Sequence, residues 1–134
     1  MKNPLKTLIT KAKTAARPGQ EKKNGIKRTE PLEVTIDEVY LINQFSRQNG
    51  KCYWTDFPIN LQGVYEKNNP LAPSLERLDE SKGYIPGNVV ICLRLFNLGR
   101  QRCPEFKFRE QIQSLKDHFS GVDRRNSLEK MLEC

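Results

Sequence analysis

Four short strings decide how this chain reads: Pro73-Ser74-Leu75-Glu76-Arg77-Leu78-Asp79, Lys82-Gly83-Tyr84, Gly87-Asn88-Val89 and Asn97-Leu98-Gly99-Arg100. Residues 74–78 read as a short strand. Residues 79–87 are a compact connection, with glycines on both sides of Tyr84-Ile85-Pro86. Residues 89–92 form an apolar run, followed by Leu93, Leu95, Phe96 and Leu98, which predicts a short helix around Asn97.

Outward from this centre the pattern turns helical on both sides. Upstream, residues 51–59 read as a strand-like segment with Cys52, Trp54 and Phe57, limited by Pro58. A loop rich in Asn, Gly and Pro follows over 60–73. Before it, Thr35 is a candidate cap and Glu38 completes a capping box. Ile36, Val39, Tyr40, Ile42 and Phe45 give an apolar stripe, and Asn49-Gly50 ends that helix. Downstream of Pro104, Phe108, Ile112, Leu115 and Phe119 share one helical face, and Gly121 closes the segment.

The charge is segregated. The whole chain of 134 residues carries +7. Residues 1–30 hold nine basic groups against two acids, so the remaining residues are neutral on balance. A cationic arm over 1–30 is therefore expected ahead of a single domain over 31–134. Lys11, Lys13, Arg17, Lys22, Lys23, Lys27 and Arg28 in the arm suit a polyanion, because each can displace a counterion from a phosphate backbone. Residues 4–16 could also form a short helix with Leu5, Leu8, Ile9 and Ala12 on one side. That face is thin for a membrane anchor. No apolar run is long enough to span a bilayer, so no membrane partner is expected. No long apolar stretch follows the basic start, so a cytoplasmic setting with reduced thiols is the expectation.

The centre mixes Asp56, Glu76, Arg77, Asp79, Lys82, Tyr84, Asn88, Asn97 and Arg100. Phosphodiester hydrolysis needs such types. Carboxylates hold a hard divalent ion, the ion offsets charge developing on the phosphate, and arginine clamps a phosphate oxygen. The same residues read equally as hairpin charges, with Glu76 and Asp79 paired to Arg77 and Lys82, and Asn88 as a turn amide.

The strings quoted above, preceded by Gly50-Lys51-Cys52-Tyr53-Trp54-Thr55, resemble the HNH or His-Me finger endonucleases, most closely the phage-type branch. The likeness covers residues 50–100. It implies an α+β fold: a small ββα-metal (HNH-like) unit over about 50–100, packed between flanking helices, with a flexible basic N-terminal arm. The strands would be 51–59 with 74–78, or 74–78 with 89–92. It implies Mg2+ or Mn2+ held by Glu76, Asp79 and Asn97, and double-stranded DNA as substrate. Asn88 matches the amide that orients the base, and Arg77 and Arg100 would bind phosphate. Lys82, Arg94 and Arg102 extend the basic surface. A phage-encoded protein acting in a bacterial host is implied.

The pattern departs from the family at one position. Arg77 stands where the catalytic histidine belongs, and a guanidinium is no base at ordinary pH. The one histidine, His118, falls on the last predicted helix. Asp79, Tyr84 or metal-bound water would have to activate the nucleophile. A catalytically inactive DNA-binding or protein-binding regulatory module is the alternative, and an RNA-binding factor is a third. Structural zinc is not expected. Relatives that carry it use two CxxC pairs, whereas Cys52, Cys92, Cys103 and Cys134 are widely spaced.

Overall fold

The computed structural model describes residues 2–20, 25–121 and Leu132. Lys22, Lys23 and Cys134 lie outside the described residues. The chain divides into two compact units, residues 1–102 and 103–134.

The first unit is α+β. Helix α1 spans Pro4–Ala15. Helix α2 spans Glu38–Arg47. A 3-10 turn covers Leu61–Tyr65. Strands β1, Pro73–Arg77, and β2, Val89–Leu93, pair antiparallel with Glu76 opposite Val90. Helix α3, Arg94–Arg100, follows β2 directly. The element order around the predicted centre is thus ββα. Of the two strand pairings expected, 74–78 with 89–92 is the one observed.

Residues 51–59 do not form a strand. Asp56 takes a left-handed backbone (φ 61°), its N–H donates to the Cys52 carbonyl, and the Cys52 N–H donates to Phe57. The segment is a tight loop closed by a single bridge between Lys51 and Pro58. It covers the outer edge of β2. The Tyr53 N–H donates to the Ile91 carbonyl, and Gln48 both donates to that carbonyl and accepts from the Ile91 N–H. The edge is satisfied by a side chain and a loop in place of a third strand.

The amino-terminal segment is only partly an arm. Asn3 caps α1, its Oδ1 accepting from the Leu5 and Lys6 N–H groups. Leu8, Ile9, Ala12 and Ala16 are buried, and α1 packs on α2, β1 and the 3-10 turn. The expectation of a flexible arm over 1–30 is corrected for residues 4–16: apolar burial holds them, while Lys6, Lys11 and Lys13 stay exposed.

Helix α2 starts two residues later than the capping box predicts. Asp37 is the cap, accepting from the Tyr40 N–H at 2.8 Å. Thr35 is engaged elsewhere, its N–H donating to the Tyr84 carbonyl. The buried face is also rotated. Leu41 and Gln44 point inward, whereas Val39 is 64% exposed and Ile42 is 54% exposed.

The Val34–Tyr84 bridge requires Gly83. A Cβ there would lie 2.3 Å from the Glu33 carbonyl oxygen. Gly87 serves a different need, a left-handed turn residue (φ 86°) before β2.

The second unit contains α4, Glu105–Ser120, ended by Gly121 in the left-handed conformation. Phe108 and Ile112 are buried as the periodicity predicts. Leu115 and Phe119, on the same predicted face, are exposed.

Candidate nucleic-acid site

The site is built by one register relation. Ser74 and Glu76 alternate onto the same face of β1. Asn97 and Arg100, three apart, share a face of α3. The helix lies so that Asn97 meets Ser74 and Arg100 meets Glu76. Asn97 Nδ2 donates to Ser74 Oγ at 2.6 Å and to the Leu75 carbonyl at 3.0 Å. Arg100 Nη1 donates to Glu76 Oε1 at 2.5 Å and to the Arg77 carbonyl, and Nη2 donates to the Leu78 carbonyl at 2.7 Å.

Glu76 is 1% exposed and Arg100 is 4% exposed. The second carboxylate oxygen accepts from the Trp54 indole N–H at 2.6 Å and from the Cys92 thiol at 3.5 Å. The guanidinium also lies 5.3 Å from the Trp54 ring centre. Glu76 and Arg100 thus form an ion pair inside the hydrophobic core, walled by an aromatic ring. Burying either charge alone would be prohibitive; together, with the remaining donors and acceptors filled, they are tolerated. The expectation that Arg100 offers its charge to phosphate is corrected on this ground. Its fork faces inward and is engaged by a carboxylate and two carbonyls.

The connection between the strands is braced from within. Asn88 Oδ1 accepts from the Asp79 N–H at 2.8 Å, and its amide donates to the carbonyls of Asp79 and Gly83. Asp79 itself is exposed. Its Oδ1 accepts from the Ser81 hydroxyl at 2.6 Å and from the Ser81 N–H at 2.9 Å. These bonds, with the Lys82 and Arg77 charges, hold its carboxyl below the usual carboxylate range.

Arg77 donates through Nη1 to the carbonyls of Glu80 and Lys82. It lies over the Tyr84 ring at 5.5 Å. Tyr84 is buried and is fixed by its backbone, donating to Glu33 and accepting from Thr35. Arg28 donates to the Ala15 carbonyl. Burial first, and Arg77 nearby second, lower its pKa from the ordinary arginine value.

The predicted ligand trio therefore falls in three settings. Glu76 is locked in the core, Asp79 is at the surface of the braced loop, and Asn97 is bonded to Ser74 and Leu75. Among the described residues, no group of three or more His, Cys, Asp and Glu side chains is placed to hold a metal ion. Cys52 and Cys92 are buried. The basic residues Lys11, Lys13, Arg17, Lys27, Lys82 and Arg94 are exposed. Arg102 is exposed as well and pairs with Glu80 at 3.2 Å. No helix among the described residues is long and apolar enough to cross a membrane.

Two contributors escape sequence reasoning. The Trp54 indole N–H completes the buried carboxylate. Gln48, just past the end of α2, seals the β2 edge. Neither has a local signal, because their partners are 22 and 43 positions away.

Compared with protein-family models, with curated proteins and with solved structures, the chain matches none.

Proposed function

We propose that the chain is a DNA-binding module of the ββα-metal type, akin to the phage branch of the HNH endonucleases, in which a buried ion pair occupies the centre where the family works on phosphate. One observation carries this reading. Glu76, the acid at the family's metal-side position, is enclosed with Arg100 and Trp54. Arg77, at the position of the family's base, is bonded to two carbonyls. Affinity would come from exposed Lys13, Arg17, Lys27 and Lys82, acting through counterion release.

A second reading keeps the chemistry. Metal-dependent hydrolysis of DNA with Mg2+ or Mn2+ is favoured by Asp79, which is exposed, held in its ionised form, and set on a loop pinned by Asn88.

Two assays separate the readings. In gel-shift titrations the module binds duplex DNA, and its affinity falls steeply with salt. In plasmid relaxation with Mg2+ or Mn2+ it cuts no faster than Asp79→Asn. Metal-dependent nicking that Asp79→Asn abolishes would establish the endonuclease instead. Absence of binding to both DNA and RNA at low salt would overturn both and point to a protein partner.

A further inference from the structure

A cleft of about 330 Å³ opens between α1, β1, α3 and the 3-10 turn. That size is within the range of small-ligand sites, about 300–1,000 Å³. The cleft exists because α1 presents Ala12 and Ala15 where larger side chains would close it. Leu8, Val64 and Leu98 complete an apolar wall.

The polar lining is asymmetric. Lys11, from α1, and Arg94, the first residue of α3, bring two cations to the cleft, and Glu66 brings one acid. Glu66 is engaged by the Asn69 amide at 2.7 Å. Lys11 donates to the Val64 carbonyl at 3.4 Å, which uses one of its three protons. Ser74 and Asn97 also line the cleft. Ser74 Oγ accepts from Asn97, so its own hydroxyl proton is free to donate. Asn97 Oδ1 receives no protein donor among the described residues, so a donor and an acceptor stand side by side.

The geometry points to a site for one nucleoside monophosphate unit, with its phosphate between Lys11 and Arg94, its base against Leu8, Ala12 and Leu98, and its base edge read by Ser74 and Asn97. The unit is either a free mononucleotide or an unpaired nucleotide of a strand. The inference rests on the nucleic-acid reading above and narrows it: an apolar wall over the base face and an edge reader need an unstacked base, which a closed duplex does not offer.

The test uses the full chain and NMR titration with dAMP, deoxyadenosine and a single-stranded dA oligomer. The expected result is that dAMP shifts the amide signals of Lys11, Ser74, Asn97 and Leu98. Deoxyadenosine binds about tenfold or more weakly, since it lacks the charge-assisted bonds. Arg94→Ala, at the surface, weakens dAMP by a similar factor. Ala15→Leu blocks the cleft with melting unchanged. Displacement of dAMP by the oligomer assigns the strand as the source; dAMP binding without displacement assigns the free nucleotide. Equal binding of dAMP and deoxyadenosine, shifts centred elsewhere, or no shifts overturns the site. Duplex binding separates the two proposals. If it survives while dAMP fails, only the cleft is lost. If dAMP binds and duplex does not, the DNA module is lost and the cleft stands.

Discussion

Replacing Arg100 with methionine removes one half of the core ion pair while keeping most of its volume. The loss can be worked through contact by contact. Three donor contacts disappear: to Glu76 at 2.5 Å, to the Arg77 carbonyl at 3.2 Å and to the Leu78 carbonyl at 2.7 Å. A carboxylate with 1% exposure is left facing the Met side chain. Removing one partner of a buried pair costs about 3–5 kcal/mol. Water reaching the two carbonyls keeps the total toward the lower end; a dry site puts it at the upper end. Against the usual total of about 5–15 kcal/mol for a domain, this is a large share. The lone tryptophan is the reporter, since Trp54 touches both members of the pair. Urea unfolding followed by its fluorescence should show Arg100→Met and Glu76→Leu each destabilised by about 3–5 kcal/mol, with the slope unchanged. The double variant should recover most of the loss, because an apolar pair of similar volume replaces two desolvated charges. If either single variant does not fold, recovery in the double variant still reads the coupling. Singles below about 1 kcal/mol, or additive losses in the double, would refute the ion-pair account. An Mn2+-dependent rise in melting temperature in the native chain that Glu76→Gln abolishes would restore Glu76 as a metal ligand.

Three further outcomes follow from the geometry. Gly83→Ala puts a Cβ 2.3 Å from the Glu33 carbonyl oxygen and should cost about 1–3 kcal/mol, read by thermal unfolding; Gly99→Ala, with open space at that position, is the control. Asp37→Ala removes the cap of α2 and should cost about 1 kcal/mol, whereas Thr35→Ala, the cap expected from sequence, should cost less, both read by urea unfolding. The Asp79 carboxyl, depressed by its Ser81 bonds, favours the fold above the ordinary carboxylate range and loses that contribution as pH falls through its lowered value. Carboxyl NMR titration should place it below an ordinary aspartate, and Ser81→Ala should move it upward; an unchanged titration would refute the assigned cause.

The strands and the short helix were legible because their signals are local. Residues 74–78 and 89–92 are short runs punctuated by Gly83 and Gly87, and the observed β1 and β2 depart from them by a residue at one or both ends. Helix α4 followed from spacing and from Gly121. What failed did so for stated physical causes. The face of α2 was misphased because hydrophobicity weights Val39 and Ile42, while the fold turns Gln44 inward and uses Gln48 to fill the open bonds of β2. The 51–59 segment has strand composition, yet its conformation turns on Asp56 entering the left-handed region. Residues 4–16 were read both as part of a cationic arm and as a short helix with Leu5, Leu8, Ile9 and Ala12 on one side; the helix forms, and burial of Leu8, Ile9, Ala12 and Ala16 is what charge alone did not show.

At the candidate site, residue types could be read and their partners could not. Glu76, Arg77, Asp79, Asn88, Asn97 and Arg100 all stand in or near the ββα centre, but sequence spacing leaves open which acid meets which cation. The pleat and the helix settle it. Period two on β1 aligns Ser74 with Glu76, and a three-residue step on α3 aligns Asn97 with Arg100. In this register the arginine must take the glutamate and the asparagine must take the serine. The charged pair closes one end of the strand–helix seam. The neutral pair leaves a hydroxyl proton and an amide oxygen unspent at the other end, where the alanines of α1 keep the space open. The nucleotide proposed for the cleft would therefore sit beside Asn97, with Glu76 acting behind it as a fixed strut.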